Sequence, residues 1–152
     1  MSKLTVRFAT LADFPSASRL LIAQLVEHHL PADPDGVGRG VALALTPQSP
    51  AWLVVAERAG EAVGVSLVNR IVSVEKGGLA LWMEELYVVP EARRTGVARA
   101  MLQFLVDEGR RAGLRSLELE VVRTQAAAFA LYRSFGFEDV DRARLTFAIA
   151  AD

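Results

Sequence analysis

Residues 86–102, LYVVPEARRTGVARAML, carry the change of period on which the fold turns. Up to Val89 the pattern is that of a strand, and Pro90 stops it. From Thr95 onward the period is helical: Val97, Met101 and Leu105 form one stripe, and Ala98, Leu102 and Val106 form its neighbour. A short loop between strand and helix leaves the first helical N–H groups unpaired at the positive end of the helix dipole. Such a junction binds phosphate where small residues let the backbone approach, as Gly96 and Ala98 do here. Arg93 and Arg94 add positive charge, while Thr95 reads equally as a plain N-cap. The Walker pattern and the dinucleotide glycine fingerprint are both absent at this point.

The helix runs to Ala112, with Arg110 and Arg111 in the last turn and Gly113 at the C′ position. Upstream, Leu79–Val89 is a long strand, preceded by a hairpin of Ala51–Glu57 and Ala62–Val72 around ERAGE. Leu4–Phe8 alternates as a first strand, and SASRLLIAQLVEHH follows as a helix capped by Thr10 or Asp13. PADPDGVGRG reads as a loop, with Gly36–Gly40 a mobile glycine cluster, before a short apolar patch at Val41–Leu45. Downstream, Ser116–Val122 alternates as a strand, and Gln125–Ser134 is a helix with Gly136 near its end. Phe137–Val140 and Leu145–Ile149 read as closing strands. The expectation is one α/β domain over residues 1–152, without repeats or linkers.

Composition narrows the function classes. At 152 residues and 52% apolar content the chain supports a full core, and its net charge of −1 argues against a general nucleic-acid binder. The absence of cysteine excludes disulfides, thiolate-held zinc and a catalytic thiol on this chain. The polar N-terminus is not a signal peptide, and no run approaches the roughly 20 apolar residues that span a bilayer. No membrane partner and no metal are expected, and a cytoplasmic location is the default.

Arg93-x-x-Gly96-x-Ala98, led in by Leu86-Tyr87-Val88-x-Pro90, resembles the pyrophosphate loop of the GNAT superfamily of N-acetyltransferases. A second block, AAAFALYRSFGF at Ala126–Phe137, is similar to the family's A-x-x-L-Y-x-x-x-G-F segment, in the same order and at its usual separation. Two positions depart from the common pattern: Arg94 stands where many members have glycine, and Gln125 where many have asparagine.

The resemblance implies an α+β fold with a mixed, mostly antiparallel sheet of about six or seven strands and about four helices. Its central strands, Leu79–Val89 and Ser116–Val122, would splay to admit acetyl-CoA. The pantetheine would bond to backbone at Leu86, Tyr87 and Val88. The pyrophosphate would lie on Arg93, Arg94, Thr95, Gly96, Val97 and Ala98, with Gln125 a further cofactor contact. Glu84 matches a base that deprotonates the amine through water, and Tyr132 an acid that protonates the CoA sulfur. Adjacent Glu84 and Glu85 point to opposite faces of a regular strand, so only one faces a cleft unless a bulge intervenes. Glu27, His28 and Glu85 are candidates for the acceptor side, where Asp33 and Asp35 would add an acidic rim; His28 reads first as a dipole partner at a helix end. The implied activity is transfer of acetyl to a primary amine of a small molecule. The alternatives are a protein N-acetyltransferase and a non-catalytic acyl-CoA sensor. A homodimer is a family-level expectation.

Overall fold

The computed structural model describes residues 2–150. In chain order the elements are β1 (Leu4–Phe8), α1 (Phe14–Glu27), α2 (Pro34–Ala44), β2 (Ala51–Arg58), β3 (Glu61–Ser73), β4 (Gly78–Val88), α3 (Val97–Arg111), β5 (Leu117–Leu119) and α4 (Ala126–Phe135). Contacts fall into two units, one ending at Glu120 and the other beginning at Val121.

In the first unit the strands form one sheet in the order β1-β2-β3-β4-β5. The β1 to β4 pairs are antiparallel, and β4–β5 is parallel. A parallel pair needs a crossover, which α3 provides. The β2–β3 hairpin turns on Ala59 and Gly60, both with positive φ (49° and 77°), the conformation whose twist matches a two-residue hairpin. Adjacent residues show how both sheet faces are covered. Val65 packs with Leu20, Leu21 and Val41 of α1 and α2, together with Leu53 and Val55 of β2. Its neighbour Gly64 points the other way, and a Cβ there would lie 2.8 Å from Met101 Sδ and 3.3 Å from Val97 Cγ1 of α3.

The loop expected over PADPDGVGRG is instead α2. Pro34 takes the first helical position, and the Asp33 carboxylate accepts the Asp35 and Gly36 N–H groups at 3.2 and 3.1 Å. Gly36, Gly38 and Gly40 cost the helix about 0.8–1.0 kcal/mol each. The cap contributes about 1 kcal/mol and burial of Val41 about 2 kcal/mol, so the two sides balance. Glycine content alone therefore misled the sequence reading.

The sheet among the described residues has five strands rather than six or seven. Ser116–Val122 shortens to Leu117–Leu119, and residues 137–149 carry no strand. Val140, Leu145, Phe147 and Ile149 are 67–97% exposed. Alternation gives a segment strand propensity, but cross-strand pairing and burial stabilise the strand, and these residues are not buried. β5 pairs with β4 only from Leu81 to Met83, while β4 continues to Val88.

In the second unit, α4 ends at Gly136, whose φ of 119° lets its N–H donate to the Tyr132 and Arg133 carbonyls. Arg123 pairs there with Asp139 and Asp141.

Candidate functional site

The strand-to-helix junction is built by backbone. After β4, residues Pro90–Ala92 make a 3-10 turn, and then Arg94 (φ 61°) and Gly96 (φ 87°) adopt left-handed conformations before α3 begins. Gly96 holds the N-cap position and supplies no side-chain bond to the helix. The first helical bond runs from Ala100 N–H to Gly96 O at 3.0 Å. The N–H groups of Val97, Ala98 and Arg99 therefore lie ahead of any carbonyl that the helix can offer them. A Cβ at Gly96 would meet nothing within 4 Å, so open space faces the loop. These features fit a pyrophosphate, whose oxygens accept several N–H groups at once.

Thr95 is not the N-cap. Its hydroxyl donates to Ala92 O at 2.6 Å and accepts from Arg58 Nη1 at 2.7 Å, while Arg58 Nη2 reaches Thr95 O at 3.2 Å. Arg58, at the end of β2, thus braces the loop from the sheet. The sequence carried no sign of this, because the two residues are far apart in the chain.

Arg93 also braces rather than facing outward. Its Nε donates to Val88 O at 2.9 Å, and its two terminal nitrogens grip both oxygens of Glu27 at 2.8 and 2.7 Å. The guanidinium lies 5.5 Å from the centre of the Tyr87 ring. The hydrogen bond from Arg93 holds the Glu27 carboxyl below its usual range against the opposing effect of partial burial. The same bond raises Arg93. Two residues expected on different ligands are thereby brought together, clasping the end of α1 to the loop.

The strand before the loop contains a bulge. Leu67 of β3 faces Glu85 and Val68 faces Met83, so Glu84 is the additional residue. Alternation fails there, and both Glu84 and Glu85 border a cavity of about 410 Å3. Its apolar walls are Leu21 and Leu25 of α1, Val37 and Val41 of α2, Leu53 of β2 and Leu67 of β3. Asp33 also borders it; Glu27 and His28 do not. His28 caps α1, its N–H donating to Gln24 O at 3.0 Å.

Beyond the bulge, Ser66 Oγ donates to Glu85 O at 2.7 Å, and Gln24 Nε2 donates to Leu86 O at 3.4 Å. Gln24 is 6% exposed, and its Oε1 is buried without a hydrogen-bond partner. The only signal in the sequence was a polar residue within the apolar stripe of α1.

Gln125 and Tyr132 belong to the second unit. Gln125 precedes α4, its N–H donating to Val122 O at 2.8 Å. Tyr132 is half-buried and meets Phe137 edge-on at 5.6 Å between ring centres. Among the described residues no cluster of three His, Asp or Glu side chains is arranged to hold a metal ion. No described helix is long and apolar enough to cross a membrane.

Residues 19–137 match the sequence profile of the acetyltransferase (GNAT) family. The chain belongs to this family. The ribosomal protein bS18-alanine N-acetyltransferase of Escherichia coli K12 is 46% identical over 52 residues, 34% of this chain and 35% of that protein. The chain thus aligns with about a third of the length of that curated relative. The IAA acetyltransferase of Azospirillum brasilense is 36% identical over 86 residues, 57% of this chain and 54% of that protein. The GNAT fold is also that of the aminoglycoside N-acetyltransferase AAC(6')-Iy, solved in complex with CoA. The two superpose with a TM-score of 0.83 over 99% of this chain and 97% of that one, at 18% identity.

Proposed function

We propose that this chain is an acetyl-CoA-dependent N-acetyltransferase acting on the primary amine of a small molecule, with residues 1–152 working as one catalytic domain. The observation that carries the reading is the bulge at Glu84, which sets two carboxylates on a cavity from within the strand that leads into the loop. An amine acceptor needs that placement. A Lys-like ammonium has a pKa of about 10.4 and must lose a proton before it attacks. Glu84 takes that proton through a water. Backbone N–H near Val88 polarises the acyl oxygen, as in an oxyanion hole.

Acetyl-CoA supplies the activated thioester. The loop amides of residues 94–98 hold its phosphates, and Leu86 to Val88 hold its arm. As the amide bond forms and the carbon–sulfur bond breaks, Tyr132 gives its proton to the departing sulfur. That role rests on the match of AAAFALYRSFGF to the family segment, and Gln125 is assigned to the cofactor on the same ground. A cytoplasmic location and a homodimer accompany this reading.

The test is thiol release from acetyl-CoA with a panel of amines. Glu84→Gln and Tyr132→Phe should each cut kcat by about 10²–10⁴ while CoA affinity is unchanged. CoA binding without turnover of any amine would overturn the proposal in favour of a sensor. A protein acceptor is the second reading, favoured by the match to the bS18-alanine enzyme. It predicts turnover of a peptide with N-terminal alanine in preference to every small amine.

A further inference from the structure

Beside the bulge, the polar side chains of Gln24 in α1 and Ser66 in β3 are buried, at 6% and 0% exposure. Both bond to neighbouring carbonyls of β4: Ser66 Oγ donates to Glu85 O at 2.7 Å, and Gln24 Nε2 to Leu86 O at 3.4 Å. Those oxygens belong to the two peptide planes that flank the Leu86 Cα. The Gln24 side-chain oxygen gains no hydrogen bond in return. An apolar residue would avoid that unpaired acceptor, so packing alone does not account for glutamine here.

The bulge decides which way these peptides face. Before it, Leu81 N–H donates to Ser116 O on the β5 side; after it, Val89 N–H donates to Val63 O, toward β3. The N–H and C=O of one residue share a side and alternate along a strand, so Tyr87 faces β3 while Leu86 and Val88 face the other edge. β5 stops pairing at Met83, so no described strand takes that edge beside them. Helix α1 takes its carbonyls instead. Gln24 holds Leu86 O; Glu27, three residues on along the same helix face, grips Arg93, whose Nε donates to Val88 O at 2.9 Å. What the edge has left to offer is the N–H groups of Leu86 and Val88.

We infer that Gln24 and Ser66 are positioning residues for the arm of acyl-CoA: they fix the peptides around Leu86 so that the edge presents donors only. The inference rests on the acetyltransferase reading and deepens it. Such an edge binds the carbonyls of the arm and refuses a neighbouring strand, which needs acceptors as well as donors. With Gln24 replaced, Leu86 O stands at the edge without a partner and repels an arriving carbonyl. With Ser66 replaced, the peptide that carries the Leu86 N–H loses the bond that aims it.

The experiment measures, by calorimetry, the binding of CoA and of 3′-phospho-ADP, which is CoA without its arm, to wild type, Gln24→Met and Ser66→Ala. Each variant keeps nearly the native side-chain volume and is scored on its own. Each should weaken CoA about 5–10-fold, the worth of one hydrogen bond, and leave 3′-phospho-ADP within about twofold of wild type. The Tm of Gln24→Met should hold within about 2 °C, because the lost bond and the relieved oxygen offset each other. Equal weakening of CoA and 3′-phospho-ADP overturns the inference, since the variants then act through the fold or the phosphate loop. Unchanged CoA affinity in either variant removes that residue from the role. A wild type that binds neither CoA nor 3′-phospho-ADP sinks the acetyltransferase reading itself.

Discussion

Gly96 separates backbone strain from ligand electrostatics, because its two roles respond differently to alanine and glutamate. Its φ is 87° and a Cβ would meet nothing within 4 Å. Alanine there is disfavoured by conformation alone, about 1–2 kcal/mol. For a domain of this size that corresponds to a fall in Tm of about 2–8 °C. The loop stays braced by Arg58 and Arg93, so the amides of α3 keep their aim and CoA affinity should fall only a few-fold. Glutamate carries the same strain and adds a negative charge where the phosphates sit. Two like charges about 5 Å apart repel by about 0.8 kcal/mol in bulk water and about 3 kcal/mol at an effective dielectric of 20. The pyrophosphate presents more than one such charge, so Gly96→Glu should weaken CoA binding by at least 100-fold. Calorimetry with CoA, alongside thermal melts of both variants, checks this. The deficit of the glutamate variant should shrink as salt is raised, since screening acts on its charge and not on the strain. CoA affinity for Gly96→Glu within a few-fold of Gly96→Ala would refute the loop assignment.

Arg58→Met keeps the stem but removes both bonds to Thr95, and should lower Tm by about 2–10 °C and weaken CoA binding. Unchanged CoA affinity in calorimetry would show that the brace does not shape the loop. Glu27→Gln removes one half of a partly exposed pair with about 0.2–1 kcal/mol at stake. Because Arg93 holds the Glu27 pKa below 4.5, this contribution is complete above pH 4.5 and disappears as pH falls through the depressed folded value. The Tm gap between variant and wild type should therefore close on acidification; a gap that widens contradicts the sign. Gly64→Ala puts a Cβ 2.8 Å from Met101 Sδ and 3.3 Å from the Tyr87 carbonyl oxygen, at a cost of about 1–3 kcal/mol. Thermal melts should show partial recovery when Met101 is shortened as well, since the flexible sulfur yields more readily than backbone.

What the sequence disclosed was local. The strand ending before Pro90, the helix from Val97 to Arg111 and the β2–β3 hairpin each write their period into consecutive residues, and all three are present. The helix α2 was hidden because its glycines suppress propensity, while its cap and its buried Val41 act through tertiary contacts. The clasp of Glu27 with Arg93 and the brace of Arg58 on Thr95 join residues distant in the chain, and single residues carry no mark of such partners. Charge type pointed Arg93 toward phosphate and Glu27 toward a cationic amine; the geometry also joins them to each other.

The bulge shows how one such hidden feature changes the chemistry. Strict alternation offers one carboxylate to the cavity and one to the opposite face, leaving a choice between Glu84 and Glu85. An additional residue between the pairs at Met83 and Glu85 cancels the alternation, and both come to the cavity. Two carboxylates side by side can divide the tasks of holding a cation and accepting its proton. Such a division makes Glu84→Gln and Glu85→Gln unequal in kind: the first should lower kcat, and the second should raise the KM for amine. Equal effects of the two variants on both constants would show that the pair acts as a single charged surface and that neither residue is the base.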